Sequence, residues 1–194
     1  ISRAPDDAGH FYVERGSVVF GPSPVFLPEE PGIVIKGALA ILNIDRWRLL
    51  LKQLEIQSPT PSHLSEIGLH IASLGFLGKQ FDDVRLDADR EDGLWYCTIA
   101  SEEMNGGITW DPSGTGKIVA RLNRLIIPPS SPSEPSAVSR IRHQEKDLPG
   151  LDVIADNFVF GEKQLGKLEL IANQEERNWY IDRLHIVNPD SSIA

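Results

Sequence analysis

The feature that most restricts the fold of this chain is an internal repeat. Residues 76–96 align without a gap on residues 160–180, and eight of the 21 positions are identical. Each copy has the pattern of a β-hairpin: a strand, a polar turn, and a second strand that opens with Trp-Tyr. One hairpin cannot bury its apolar face alone, so the repeated hairpins are expected to stand side by side in a common sheet.

Apolar and polar residues alternate along the strands of both copies and along the segment before the first copy. This period-two pattern predicts a mainly β fold: an extended, antiparallel, twisted and groove-like sheet with one apolar and one solvated face. The predicted apolar face consists of Ile67, Leu69, Ile71, Val84, Leu86, Ala88, Leu168, Leu170 and Ala172. The aromatic pairs Trp95-Tyr96 and Trp179-Tyr180 recur at one place in the repeat, which favours packing or hairpin pinning over ligand binding.

One segment has helical rather than strand periodicity. Ile44, Trp47, Leu51 and Leu54 follow one another at helical spacing, and Asn43 or Asp45 can cap the first turn. We therefore predict one short amphipathic helix over residues 44–54. Its narrow apolar stripe favours a lid on the sheet over a helix lying in a membrane interface.

The composition changes over residues 128–149, which hold five of the 14 prolines and five serines. This stretch predicts a flexible connection. It divides the chain into a β-rich segment over residues 1–127 and a second hairpin repeat over residues 150–194, which we expect to be truncated. Since the chain opens with Ile1 and not Met, we expect a mature product or a piece of a longer protein.

Charge and hydropathy exclude several classes of protein. With 28 acidic and 19 basic residues the net charge is −9, whereas nucleic-acid-binding proteins usually have an excess of basic residues on one face. No stretch approaches the roughly 20 apolar residues that span a bilayer, and no signal peptide is present, so the piece itself is expected to be soluble. The single cysteine, Cys97, cannot form an internal disulfide and is expected to be a small buried hydrophobe.

No catalytic, metal-binding or cofactor-binding residues are predicted. The five histidines are scattered without metal-ligand spacing. Residues 113–117 resemble part of a phosphate loop, but Asp111 and Ile118 stand where that motif needs Gly and Ser or Thr. The aspartates at 82, 83, 87 and 89 read as solvated acids, whereas a glycan hydrolase would need two carboxylates roughly 5–10 Å apart in a cleft.

The alternating strands supply more apolar surface than one helix can cover. Either sheets pack on one another, or the face remains as a groove for apolar ligands or a partner protein. A structural or protein-interaction β-module and a groove for apolar ligands are therefore both open at this point.

Several segments resemble the C-terminal part of the YhdP proteins, which are large AsmA-like proteins of Gram-negative bacteria. The likeness covers residues 10–194 and is a pattern of strand, Gly and Trp positions. The segments that carry it are 31–39, 43–47, 74–86, 101–106, 108–110, 121–125, 148–153 and 165–170, with Trp95 and Trp179.

The resemblance implies an inner-membrane anchor elsewhere in the parent protein and a long periplasmic part with an apolar, groove-like interior. Family members are implicated in moving phospholipid from the inner to the outer membrane and in maintaining the outer-membrane barrier. The expected partners are thus a phospholipid or another acyl-chain ligand and the rest of the parent protein. No catalytic residues are carried over.

Overall fold

The computed structural model describes residues 2–5, 11–22, 24–46, 63–76, 78–128, 149–175, 178–188 and 191–193. These residues form twelve strands in one sheet, and the order of the strands in the sheet follows their order in the chain. The fold is thus mainly β, as the alternation predicts. The strands are β1 Ser2–Pro5, β2 Phe11–Phe20, β3 Gly32–Asn43, β4 Leu64–Phe76, β5 Lys79–Glu91, β6 Leu94–Ala100, β7 Met104–Asp111, β8 Lys117–Ile127, β9 Gly150–Phe160, β10 Lys163–Glu175, β11 Asn178–Asn188 and β12 Ser191–Ile193.

The sheet is mixed and not wholly antiparallel. Three neighbouring pairs run parallel: β2 with β3, β3 with β4, and β8 with β9. Each parallel pair follows one of the long connections in the chain, because a strand that restarts at the same end needs a crossover. The pairing of β8 with β9 also joins the segments on either side of residues 129–148 into one sheet. Residues 129–148, which include most of the predicted flexible connection, lie outside the described residues.

The repeat is larger than the hairpin detected in the sequence. The last residues of β3, β4 and β5 recur 84 positions later as the last residues of β8, β9 and β10. In both copies a parallel pair precedes two antiparallel hairpin strands and a further antiparallel strand, β7 or β12. The register is kept as well, since Trp95 pairs with Arg90 and Trp179 pairs with Gln174. The unit is therefore five strands, β3–β7 and β8–β12.

Local signals explain two connections. Asp92 and Gly93 both have positive φ, 50° and 84°, as a two-residue turn between right-twisted strands requires. At the end of β3, the Arg46 N–H donates to Asn43 Oδ1 at 2.9 Å, so Asn43 caps a helical start at residues 44–46. The rest of the predicted helix lies outside the described residues.

A line of irregularly paired residues crosses several neighbouring strands. Ladder pairing is interrupted at Ala40, Ala72 and Asp83, and the same interruption recurs at Asp156 and Lys167. Where a strand crosses this line, two consecutive residues lie on the more exposed side of the sheet and the alternation shifts by one. Ile71 and Leu74 are therefore both buried on the same side, although residues three apart in a regular strand lie on opposite sides. Asp83 takes a φ of 50°, a conformation that aspartate tolerates better than most residues. We refer to this line as the crease.

Candidate apolar groove

The structure places the nine residues of the predicted apolar face at corresponding positions of β4, β5 and β10. Directly opposite residues of an antiparallel pair lie on the same face of a sheet. Across β4 and β5 the opposite pairs are Ile67 with Ala88, Leu69 with Leu86, and Ile71 with Val84. Across β9 and β10 they are Ala155 with Leu168, Val153 with Leu170, and Leu151 with Ala172. We call this side of the sheet the groove face.

Burial on the groove face is graded. Ile71 and Ala172 are 0% exposed and Val84 is 1% exposed, whereas Leu69 and Leu170 are only partly buried. The buried side chains form one large cluster spread from β4 to β10 and a smaller cluster around Leu64, Ala88 and Trp95. Among the described residues, no polar or charged residue is buried with them. The centre of the face is a packed core.

The groove face continues onto β2 and β11, which lie near the two edges of the sheet, and its side chains are much more exposed there. On β11, Leu184 is opposite Leu170 and Ile181 is opposite Ala172, and they are 47% and 53% exposed. On β2, Val18 is opposite Ile35 and is 44% exposed. The alternation in β11 is broken by an irregularity near Ile171, which is why these residues did not stand out in the sequence.

One contact joins two strands that are not neighbours in the sheet. Neighbouring strands lie about 4.8 Å apart, so in a flat sheet β5 and β8 would be about 14 Å apart. The β6–β7 hairpin turns at residues 101–103, near the crease, so no strand separates β5 and β8 beyond it. There the Lys79 ammonium donates to the Pro128 carbonyl at 2.8 Å. The lysine side chain therefore links the start of β5 directly to the residue that follows β8, although three strand spacings separate the two strands in the sheet order.

The opposite face, which we call the outer face, carries ion pairs between neighbouring strands. Lys36 lies 2.6 Å from Glu66, and Arg121 lies 2.8 Å from Asp152. The hydrogen bond from Arg121 holds the pKa of the Asp152 carboxyl below its usual value. These charges are half exposed, so each pair adds little stability, but together they keep the outer face hydrated.

The second outer-face feature, which sequence reasoning missed, is the connection from β2 to β3. Ser17 donates to the Phe26 carbonyl, and the Lys36 ammonium stands 5.6 Å from the centre of the Phe26 ring. Residues 24–28 therefore cross the outer face, where Val34 is buried. The sequence signal that could have indicated this crossing is the apolar triplet at residues 25–27, which lies between Pro24 and Pro28.

The repeat-signature aromatics divide between the two faces in the same way in each unit. Trp95 and Trp179 point to the groove face, and Tyr96 and Tyr180 lie half exposed on the outer face. The Trp179 indole donates to the Pro149 carbonyl at 3.1 Å. The Trp95 indole is buried against Leu64 and has no hydrogen-bond partner.

Cys97 also lies on the groove face, opposite Ala88. Burial, helped by the nearby Asp89 carboxylate, raises the pKa of the Cys97 thiol above its usual value. The thiol is therefore protonated at neutral pH and behaves as the small hydrophobe that the sequence predicts.

The described part of the chain offers no group of three or more His, Cys, Asp or Glu side chains placed to hold a metal ion. Within the same ranges, no helix has the length and apolar character needed to cross a membrane.

The apolar, repeated sheet agrees with the resemblance noted in the sequence. The family model described as YhdP protein matches residues 2–194. The chain belongs to the YhdP family. Membership of the YhdP family fits a bacterial envelope-associated protein. Searches of curated proteins and of solved structures found no match.

Proposed function

We propose that this YhdP-family chain is a module of an apolar β-groove that conducts phospholipid towards the outer membrane. In this proposal the groove belongs to the periplasmic part of an inner-membrane-anchored protein and helps to maintain the envelope barrier. The observation that carries the proposal is a single apolar face running from β2 to β11 without a buried polar residue among the described ones. Each acyl CH₂ taken out of water contributes about 0.8 kcal/mol, so such a face can hold a lipid chain.

The groove face and the solvent at its open side suit the two parts of a phospholipid, the acyl chains and the head group. An acyl chain needs continuous apolar contact but no specific hydrogen bonds, so a row of aliphatic side chains is sufficient. The half-exposed residues Leu184, Ile181 and Val18 are the accessible part of the row. A lipid head group can stay in water at the open side of the sheet. No step in this task requires a catalytic residue.

A second candidate is a structural or protein-interaction β-module of the cell envelope. Its support is the near-complete burial of Ile71, Val84 and Ala172, which is typical of a closed core. The two proposals differ in one respect: whether the half-exposed residues of the groove face contact a lipid.

The chain offers a matched pair for this test on β11. Leu184 is on the groove face opposite Leu170, and Val187 is on the outer face opposite Lys167. Their exposures are similar, 47% and 39%. We expect phospholipid to copurify with the chain, to be detected by native mass spectrometry, and to crosslink to a photoreactive residue at position 184 but not at position 187.

Leu184→Asp should lower lipid affinity by at least about tenfold, and Val187→Asp should leave it unchanged. The expected loss combines about 1.5 kcal/mol of apolar contact with the cost of bringing a carboxylate beside acyl chains. A wild-type chain that carries no phospholipid, or equal crosslinking at both positions, would contradict the groove and favour the structural module.

A further inference from the structure

The described part of the sheet ends near a strand whose outer edge is largely open. β12 has three residues and pairs only with residues 186–188 of β11. Among the described residues, no strand pairs with residues 178–185 on that side. In the first repeat unit the matching edge is covered, because β7 pairs with β6 from Trp95 to Ala100. An open edge presents a row of backbone N–H and C=O groups with which a further strand can pair.

Two neighbouring residues of β11 lie on the same face of the sheet. Arg183 is opposite Ile171, which stands between two groove-face residues of β10 and so lies on the outer face. Asp182 has no partner in the pairing with β10, and its carboxylate accepts a hydrogen bond at 2.6 Å from Asn173, an outer-face residue opposite Tyr180. Asp182 and Arg183 therefore lie side by side on the outer face, and both are exposed.

This arrangement makes the order of faces along β11 symmetric about the bond between residues 182 and 183. Counting outward from that bond, the first residue on each side lies on the outer face, the second on the groove face and the third on the outer face. Moving the point of symmetry by half a residue or by one residue would set groove-face residues against outer-face residues. Two antiparallel copies of β11 related by a twofold axis at this bond set 182 opposite 183, 181 opposite 184, and 180 opposite 185, and every pair lies on one face.

The residues that such an axis sets opposite each other also match in chemistry. Asp182 of one copy is opposite Arg183 of the other, and opposite charges on facing strands stabilise a pair. Ile181 is opposite Leu184, and these side chains are 53% and 47% exposed in the single chain. Contact between them removes apolar surface from water. Each of these pairs occurs twice, because the axis repeats it.

We propose that two copies of this chain pair through β11 as an antiparallel dimer with twofold symmetry. Residues 180–185 of each copy form the interface, and the groove faces of the two copies join into one surface. The partner is a second copy because the open edge is complementary to itself in the order of its faces, in charge and in apolar contact. The dimer requires no bound lipid.

Sedimentation velocity of the 194-residue chain over a range of concentrations measures the dimer. One pair of strands buries less surface than a standard interface, so we expect a Kd of about 10–100 µM. Arg183→Asp should weaken the dimer at least about tenfold, because it sets acidic residues opposite each other in two pairs. Asp182→Arg should have the same effect, because it sets basic residues opposite each other.

An equimolar mixture of these two variants tests the pairing directly. In a mixed dimer one copy has basic residues at 182 and 183 and the other has acidic ones, so opposite charges face each other again. We expect the mixture to dimerise within about threefold of the wild-type Kd, although neither variant does so alone. The matched controls are Lys163→Asp and Glu162→Arg, which make the same charge changes at exposed neighbouring residues between β9 and β10 and should leave the Kd within about twofold of wild type.

Hydrogen exchange of the wild-type chain is a second measurement that needs no variant. The amides of residues 180–185 that point to the open edge should exchange at least about threefold more slowly above the Kd than below it, since pairing protects them. The amides of β1, at the opposite edge of the sheet, should exchange equally at both concentrations.

Several results would overturn the dimer. These are a wild-type chain that stays monomeric at about 500 µM, single variants that dimerise like wild type, a mixture of folded variants that stays monomeric, and protection of β1 instead of β11. If a variant does not fold, the mass and the hydrogen exchange of the wild-type chain decide. The groove proposal is tested separately, because its experiments detect bound phospholipid and not the mass of the protein.

Discussion

Truncation of one isoleucine on each face of the sheet tests whether the groove face is the packed core. Ile71 and Ile41 lie on adjacent parallel strands, but Ile71 is 0% exposed on the groove face and Ile41 is 76% exposed. Ile71 is flanked by Leu39 on β3 and Val84 on β5. Ile71→Ala removes three carbons from an enclosed site, so we expect a loss of about 3–4 kcal/mol in unfolding free energy. Ile41→Ala should cost less than about 1 kcal/mol, chiefly through lower β propensity.

Urea unfolding followed by circular dichroism measures both changes. The urea midpoint should fall for Ile71→Ala without a change in m, because the same surface is exposed on unfolding. For a chain of this size the thermal midpoint should fall by about 10 °C. Equal losses for the two variants, or a loss below about 1 kcal/mol for Ile71→Ala, would refute the packing described for the centre of the face.

Three further predictions concern other sites. Gly166 has a φ of 87°, and an added Cβ would clash with the Val187 carbonyl on β11, so Gly166→Ala should lower the free energy of unfolding in urea by about 1–3 kcal/mol. The control is Gly107→Ala, which has open space around it and should change the free energy of unfolding by less than about 1 kcal/mol. Because Arg121 lowers the pKa of Asp152, this carboxyl stabilises the fold above about pH 4 and that contribution is lost as the pH falls through its lowered pKa; Asp152→Asn should therefore flatten the fall in thermal midpoint between pH 5 and pH 3. Cys97 should react with iodoacetamide at pH 8 at least about tenfold more slowly in the folded chain than in urea, and equal rates would contradict its burial.

The face that each strand turns inward could be predicted from the sequence because it depends only on local alternation. A residue's neighbours two positions away fix its side of the sheet. Ile67, Leu69 and Ile71 could thus be placed on one side of their strand without any knowledge of strand order, and the structure pairs them with Ala88, Leu86 and Val84. The 84-residue repeat fixed the equivalence of Trp95 and Trp179 in the same way.

The rest of the architecture depends on contacts between distant parts of the chain. Parallel pairing of β3 with β4 follows from where the chain re-enters the sheet after residue 63, and alternation carries no information about that. The crease can be recognised only when the pairing of several strands is known. In a single strand, a shift in the alternation of apolar and polar residues cannot be told from ordinary sequence variation. The open cleft at the start of β3 and β4 likewise cannot be predicted locally, because its lining includes Glu14 and Arg90, which are 76 residues apart in the chain.

The two repeat units keep a large aliphatic side chain at the same place on the groove face, although a count of 84 residues hides it. Leu184 is opposite Leu170, and the residue equivalent to Leu170 in the first unit, Leu86, is opposite Ile99. Asp182 has no partner in the pairing of β10 with β11, so β11 holds one extra residue and the counterpart of Leu184 is Ile99, 85 positions earlier. Ile99 is 7% exposed and Leu184 is 47% exposed. The repeat therefore keeps the aliphatic row of the groove face through a change of register, as expected where the row itself is the feature that is repeated.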